Sequence, residues 1–250
     1  MLTLEEKTVR EIALEEPSSL RVFESLGIDY CCGGKRPLSD ACTHANVDLN
    51  RTLQLLEIAK QNTRNTGAES WNEKPLSQLI EFVVNSHHQY VRRETPRIEV
   101  VFAKVSARHG QAHPEISRME QIFAAVSREL ATHMMKEENA LFPHIERMER
   151  AADSGAAAPI AFFGTVHRPI ASMVAEHDDA GALLTQIRAL ADNFTPPAGA
   201  CPTFIGLYRA LEEFEQDLHR HVHLENNILF PRAIALEHAE QSRDASRPTR

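Results

Sequence analysis

The eleven residues from His133 to Pro143 return 88 positions later as His221 to Pro231. Six pairs are identical in register: His133/His221, Glu137/Glu225, Asn139/Asn227, Leu141/Leu229, Phe142/Phe230 and Pro143/Pro231. In each copy the Glu follows the His by four residues, so on an α-helix both side chains project from one face, one turn apart. An imidazole and a carboxylate so placed can reach the same metal ion. The repeat extends upstream, because His88 precedes His133 by 45 residues and His177 precedes His221 by 44. Each half of the region from about Pro75 to Glu240 therefore reads as a helix pair, with a lone His on the first helix and His-x-x-x-Glu on the second. Four helices directing four His and two Glu inward make an all-α four-helix bundle with a dinuclear metal core.

A relic of duplication would account for Leu-Phe-Pro as a packing and helix-end motif. It does not account for His and Glu recurring on the inward face, where burying polar groups is costly. The metal ligands expected are His88, His133, Glu137, His177, His221 and Glu225, with Glu137 and Glu225 each spanning both ions and each ion taking two His. Positions then remain open for an oxo or hydroxo bridge or a small diatomic. Imidazole with carboxylate suits iron, manganese or zinc and does not separate them. His87 competes with His88, since adjacent residues are rotated by about 100° and only one can point inward. Apolar periodicity serves both, and the repeat spacing favours His88. Glu138 and Glu176 neighbour proposed ligands and read either as groups supporting those ligands or lining a channel, or, by preference, as solvated surface. His219 and His223 should face away, and His144, His167 and His238 should lie at the surface or at helix ends.

The chain carries 27 basic and 35 acidic residues, a net charge of −8, with the basic residues scattered. That argues against nucleic acid or an anionic membrane as the main partner. No apolar signal core or membrane-length run is present, so the expectation is a soluble cytoplasmic protein. A homodimer is left open.

Residues 1–61 read as a small helical domain. Pro17-Ser18-Ser19 starts a helix with Leu20, Val22, Phe23 and Leu26 on its apolar stripe and Gly27 as its C-cap. Another short helix follows Pro37, and Asp48 opens a third. Residues 62–72 are a polar linker, 73–240 the bundle and 241–250 a polar tail. Within the bundle, Pro96 should kink or break the first helix, although Val100, Val101 and Val105 suggest that helix resumes, and both copies of Leu-Phe-Pro should stand where a long helix ends. Pro114, Pro169 and Cys201 mark the starts of the later helices. Cys31 and Cys32 precede Gly33-Gly34 in a turn. They read as an exposed, flexible site for redox exchange, nitrosation or metal capture, with a helix-capping loop as the plainer alternative. Cys42 and Cys201 read as ordinary small residues.

Asp29-Tyr30-Cys31-Cys32-Gly33-Gly34 resembles the N-terminal hallmark of the RIC family (repair of iron centres, also called the ScdA or YtfE type). The segments at His133–Glu138, Glu176-His177-Asp178 and His221–Asn227 resemble that family's hemerythrin-like ligand segments. Ser86-His87-His88-Gln89-Tyr90 departs from the aromatic-His-Asp pattern expected there. The resemblance covers most of the chain. It implies a non-haem di-iron centre and repair of iron–sulfur cluster proteins damaged by nitric oxide or peroxide, through iron donation or nitric oxide handling, with Cys31 and Cys32 contacting the client. A sensor or carrier of a diatomic gas and a nitric oxide reductase are the competing functions.

Overall fold

The structure, a computed structural model, describes residues 3–63, 71–157 and 159–245. Most of the expected linker, residues 64–70, lies outside them. Among the described residues every named element is helical, and no helix is long and apolar enough to cross a membrane.

Two compact units are distinguished: Met1–Pro75 with His219–Arg232, and Leu76–Leu218 with Ala233–Arg250. The first unit thus draws in a stretch of chain far from the segment 1–61. Four helices build its N-terminal part: α1 (Val9–Glu15), α2 (Ser19–Leu26), α3 (Leu38–Ala45) and α4 (Leu49–Thr63). Thr8 and Glu11 form a capping box at the start of α1, which satisfies two otherwise free backbone amides. Gly27 ends α2 at φ 65°, the left-handed conformation that glycine adopts without a Cβ penalty. Asp48 accepts the Arg51 amide at 2.7 Å and opens α4.

The remote stretch joins this unit through Tyr30, whose ring is buried. Tyr30 donates its hydroxyl to Glu24 at 2.8 Å, and Arg220 clamps the same carboxylate at 2.8 and 2.9 Å. Asn227 donates to the Tyr30 carbonyl at 3.1 Å and contacts Nδ1 of His223 at 2.9 Å, while Arg10 reaches the Asn227 carbonyl at 3.2 Å. His223 was expected to face away, but is buried edge-on against Tyr30. Burial pushes its pKa down to about 4. In the unfolded chain a histidine titrates near 6.5. The unfolded state therefore takes up the extra proton between these values, and stability falls as pH drops from about 6.5 to about 4, by roughly 3 kcal/mol. Urea unfolding midpoints for wild type and His223→Gln across that range test this: the wild type should lose stability more steeply than the variant.

The second unit is a helical bundle. α5 (Leu76–Phe82) continues through a π-helical segment (Val83–His88) into α6 (Gln89–His109). α7 (Glu115–Lys136) passes through a second π segment (Glu137–Leu141) into α8 (Phe142–Ser154). α9 (His167–Leu190) is uninterrupted. α10 (Pro202–His223) passes through a third π segment (Leu224–Leu229) into α11 (Phe230–Ala245). α7 packs on both α6 and α9, and α5 packs on α8. Phe214 of α10 meets Phe123 of α7 and Tyr90 of α6, at centroid separations of 5.2 and 6.3 Å. The α7 stripe Met119, Ile122, Phe123, Val126 and Leu130 is buried. Each such side chain contributes about 1.5–3 kcal/mol by leaving water. Glu149 of α8 accepts the backbone amides of Leu76 and Ser77 at 2.5 and 2.9 Å and so caps α5.

Three expectations are corrected. Pro96 lies inside α6 without breaking it. The expected polar tail is helical to Ala245, with 246–250 outside the described residues. Neither Leu-Phe-Pro ends its helix. Instead the hydrogen-bond ladder shifts just before each proline: the Phe142 amide donates to the Glu137 carbonyl, and the Phe230 amide to the Glu225 carbonyl, five residues back in both copies. The wider turn takes up the missing proline N–H without stopping the helix. Asn139, one of the repeated residues, donates to the Met135 carbonyl at 2.8 Å just ahead of the shift.

Candidate metal centre

The three π segments fall where the histidines and glutamates of the repeat are carried. One ends at His88, one begins at Glu137 and one contains Glu225. Such turns concentrate at functional sites because one wide turn re-aims side chains that a regular helix would place elsewhere. His177 comes from the regular helix α9.

All six side chains are buried, and Glu137, Glu225, His88 and His221 are 0% exposed. Glu137 turns one carboxylate oxygen to each of two imidazoles: Oε1 lies 3.3 Å from Nε2 of His133 and Oε2 lies 3.4 Å from Nε2 of His88. Nε2 of His177 faces Nε2 of His133 at 3.0 Å. Nε2 of His221 lies 3.0 Å from Oε1 of Glu225. Two groups can each offer four ligand atoms, all within 4.8 Å of one another: His88, Glu137, His221 and Glu225; and His133, Glu137, His177 and Glu225. Both carboxylates belong to both groups.

Charge argues for a cation here. Two carboxylates are fully buried, yet no Lys or Arg is buried among the described residues. Burying a charged carboxylate is costly even beside an imidazole. An ion held by the imidazole and carboxylate donors removes that cost. The donor set fits a borderline or hard first-row ion.

A further ring of carboxylates aims the imidazoles. Glu138 lies 2.6 Å from Nδ1 of His88, and Arg92 holds that same oxygen at 2.6 Å. Glu176 lies 3.0 Å from Nδ1 of His133 and is held by Lys136 at 2.6 Å and Ser172 at 3.0 Å. Burial disfavours the charged form of Glu176, but the hydrogen bonds from Lys136, His133 and Ser172 outweigh it and keep the carboxyl below its ordinary range. A carboxylate on Nδ1 fixes the tautomer that leaves Nε2 free to bind a metal. Of the two readings the sequence left open for Glu138 and Glu176, their contacts favour support of the imidazoles over solvated surface. His87 turns away to Asp217 at 3.0 Å, while Phe142 stacks on His88.

The comparisons with known proteins bear on this geometry. The sequence pattern of the hemerythrin HHE cation binding domain matches residues 80–233, a span that contains all six residues. The ScdA N-terminal pattern, described as a domain of unknown function (DUF542), matches residues 5–60. An iron-sulfur cluster repair protein YtfE from Edwardsiella ictaluri is 36% identical over 233 residues, covering 93% of this chain and 99% of that protein. Its counterpart from Yersinia pseudotuberculosis is 35% identical over 223 residues, covering 89% and 94%. The chain belongs to the YtfE-type iron–sulfur cluster repair family. The all-α bundle read from the repeat, and the hemerythrin-like fold that the resemblance implied, agree with the hemerythrin HHE match.

The thiols differ from expectation. Cys31 is buried, and its Sγ lies 3.8 Å from that of Cys32. Asp29 accepts the amides of Cys31, Cys32 and Gly33 at 2.8–3.0 Å, so this turn is a capped loop held in place rather than a flexible one. The hydrogen bond with Cys32, burial and the neighbouring Asp29 push the Cys31 thiol well above its usual range. Cys32 is the more accessible of the two. Cys42 is buried beside Thr52, as a small core residue would be. Cys201 is less ordinary, with Nε2 of His109 3.2 Å from its sulfur. The amides at the start of α10, that of Phe204 first, draw its pKa down. His144, expected at the surface or at a helix end, lies in the first turn of α8 and is buried edge-on against Phe163.

Proposed function

We propose that this chain holds two non-haem iron ions and uses them in the repair of iron–sulfur clusters damaged by nitrosative or oxidative stress. One observation carries the reading: the two groups of potential ligands share Glu137 and Glu225 and divide the four histidines two and two. In this reading each glutamate spans both ions, with His88 and His221 completing one and His133 and His177 the other. Family membership adds the choice of iron and the class of client, since the relatives are named for iron–sulfur cluster repair. When bound, the iron pair would supply redox chemistry and open positions for a diatomic such as nitric oxide.

The surrounding residues have separate tasks. Glu138 and Glu176 hold the Nδ1 protons of His88 and His133. The apolar side chains of the bundle exclude water. Cys31 and Cys32 are the proposed client contact, Cys32 the more exposed and Cys31 behind it. All four cysteines are free, which matches a reducing cytoplasmic setting.

The protein purified from iron-replete cells should carry about two irons per chain, as dinuclear bundles do. Stoichiometric zinc without iron would overturn the iron reading. Cys31→Ala with Cys32→Ala should keep this iron and its near-ultraviolet absorption band yet lose most recovery of a nitric-oxide-damaged cluster enzyme. Undiminished recovery would confine the chemistry to the bundle.

A further inference from the structure

The first residue of α9 and the outer face of α11 carry an imidazole pair that the buried centre does not use. Nε2 of His167 lies 3.2 Å from Nε2 of His238, and both residues are exposed. The rings meet at 76°, with centroids 5.4 Å apart, so the two Nε2 atoms face each other. Two neutral imidazoles can share a hydrogen bond at this distance. It is also the separation of two neighbouring nitrogen ligands on one cation. Metal–nitrogen bonds of about 2.0–2.1 Å, at angles between octahedral and tetrahedral, place the nitrogens roughly 2.9–3.4 Å apart. The buried centre supplies a partial reference: Nε2 of His133 and Nε2 of His177 lie 3.0 Å apart within a group able to hold an ion, although those rings are closer, at 4.6 Å, and less steeply tilted, at 53°.

The scaffold under the pair is fixed by other residues. Glu237 of α11 accepts the Thr165 hydroxyl at 2.5 Å and the Val166 amide at 2.9 Å. Those bonds tie the start of α9 to α11 immediately beside each imidazole. The backbone under the pair is therefore held before any ion arrives, which lowers part of the ordering cost of binding.

We propose that His167 and His238 form a second, surface metal site. It takes one divalent ion of the copper or zinc type through two neutral imidazoles, with water in the remaining positions. Imidazole donors without a carboxylate suit these ions, and copper should bind more tightly than zinc. Two protein ligands at the surface make the ion exchangeable, unlike one enclosed by six buried residues. The proposal does not rest on the iron reading.

The test uses the full chain with its interior metal in place. Cu2+ is titrated and followed by electron paramagnetic resonance, and Zn2+ by calorimetry and thermal unfolding. One ion per chain beyond the interior metal is expected, with nitrogen hyperfine structure from two imidazoles. His167→Gln and His238→Gln should each weaken this binding at least tenfold while leaving the interior metal content unchanged. Zn2+ should raise the unfolding temperature of the wild type and not of the variants, because the ion joins α9 to α11. Equal binding of both ions by the wild type and the double variant would overturn the proposal. So would a Cu2+ signal without nitrogen coupling.

Discussion

Replacing Glu225 by Leu is expected to remove both irons from the purified protein, leaving near zero per chain rather than one. Glu225 belongs to both groups of potential ligands, so on the proposed two-iron reading its loss would take a donor from each ion at once. It also removes one of two buried negative charges that favour cations at this position. Leu is close to Glu in volume and costs little to bury, so the helix should keep its packing. Iron analysis by plasma emission, alongside circular dichroism to establish folding, provides the check. His221→Leu is the useful contrast, because His221 belongs to one group only, and that variant should retain more iron than Glu225→Leu. A folded Glu225→Leu protein with two irons would show that the glutamate is a packing residue and would remove the basis for a shared bridge.

The second large effect is expected one layer out. Glu138→Ala should weaken metal retention by about 10–100-fold, the usual consequence of losing the carboxylate behind a ligating histidine. Glu138 sits 2.6 Å from Nδ1 of His88 and touches no other residue of the two groups in the described contacts. Without it His88 can swing or change tautomer, and Nε2 is no longer committed to the interior. Arg92→Ala, which removes only the partner of that carboxylate, should have a smaller effect, because Arg92 is substantially exposed. Chelator competition followed by absorbance measures both. Unchanged retention in Glu138→Ala would mean that burial and the stack on Phe142 alone hold His88.

The legible part of this chain was local. A four-residue spacing between His and Glu has one meaning on a helix, and its duplication separated His133, Glu137, His221 and Glu225 from chance. What escaped depends on changes of helix register or on distant partners. Three wide turns cannot be read from apolar periodicity, and the prolines that follow two of them resemble ordinary helix stops. The role of Glu138 was hidden for a related reason. A residue next to a ligand points about 100° away on a regular helix, and the second copy has Asn226 at that position, so the repeat gave no support. The burial of Cys31 was out of reach because Tyr30 is held by Asn227 and its neighbour Glu24 by Arg220, both from far along the chain. The glycines that follow Cys32 suggested exposure instead. By contrast, the capping box Thr8-Val9-Arg10-Glu11 was present in the sequence and would have located α1.

The two carboxylates at the heart of the bundle have a consequence for how the chain matures. With no buried Lys or Arg among the described residues, a freshly made molecule would, on the proposed reading, bring two carboxylates together before any ion is bound. It must then take up protons, admit water or remain loosely closed, and each alternative forfeits packing that the loaded protein enjoys. Under the proposed metal reading, metal supply would thereby act as a quality check during biogenesis. A cell starved of the ion would accumulate chains that open readily and are degraded early, and a cell well provided with it would accumulate chains that last.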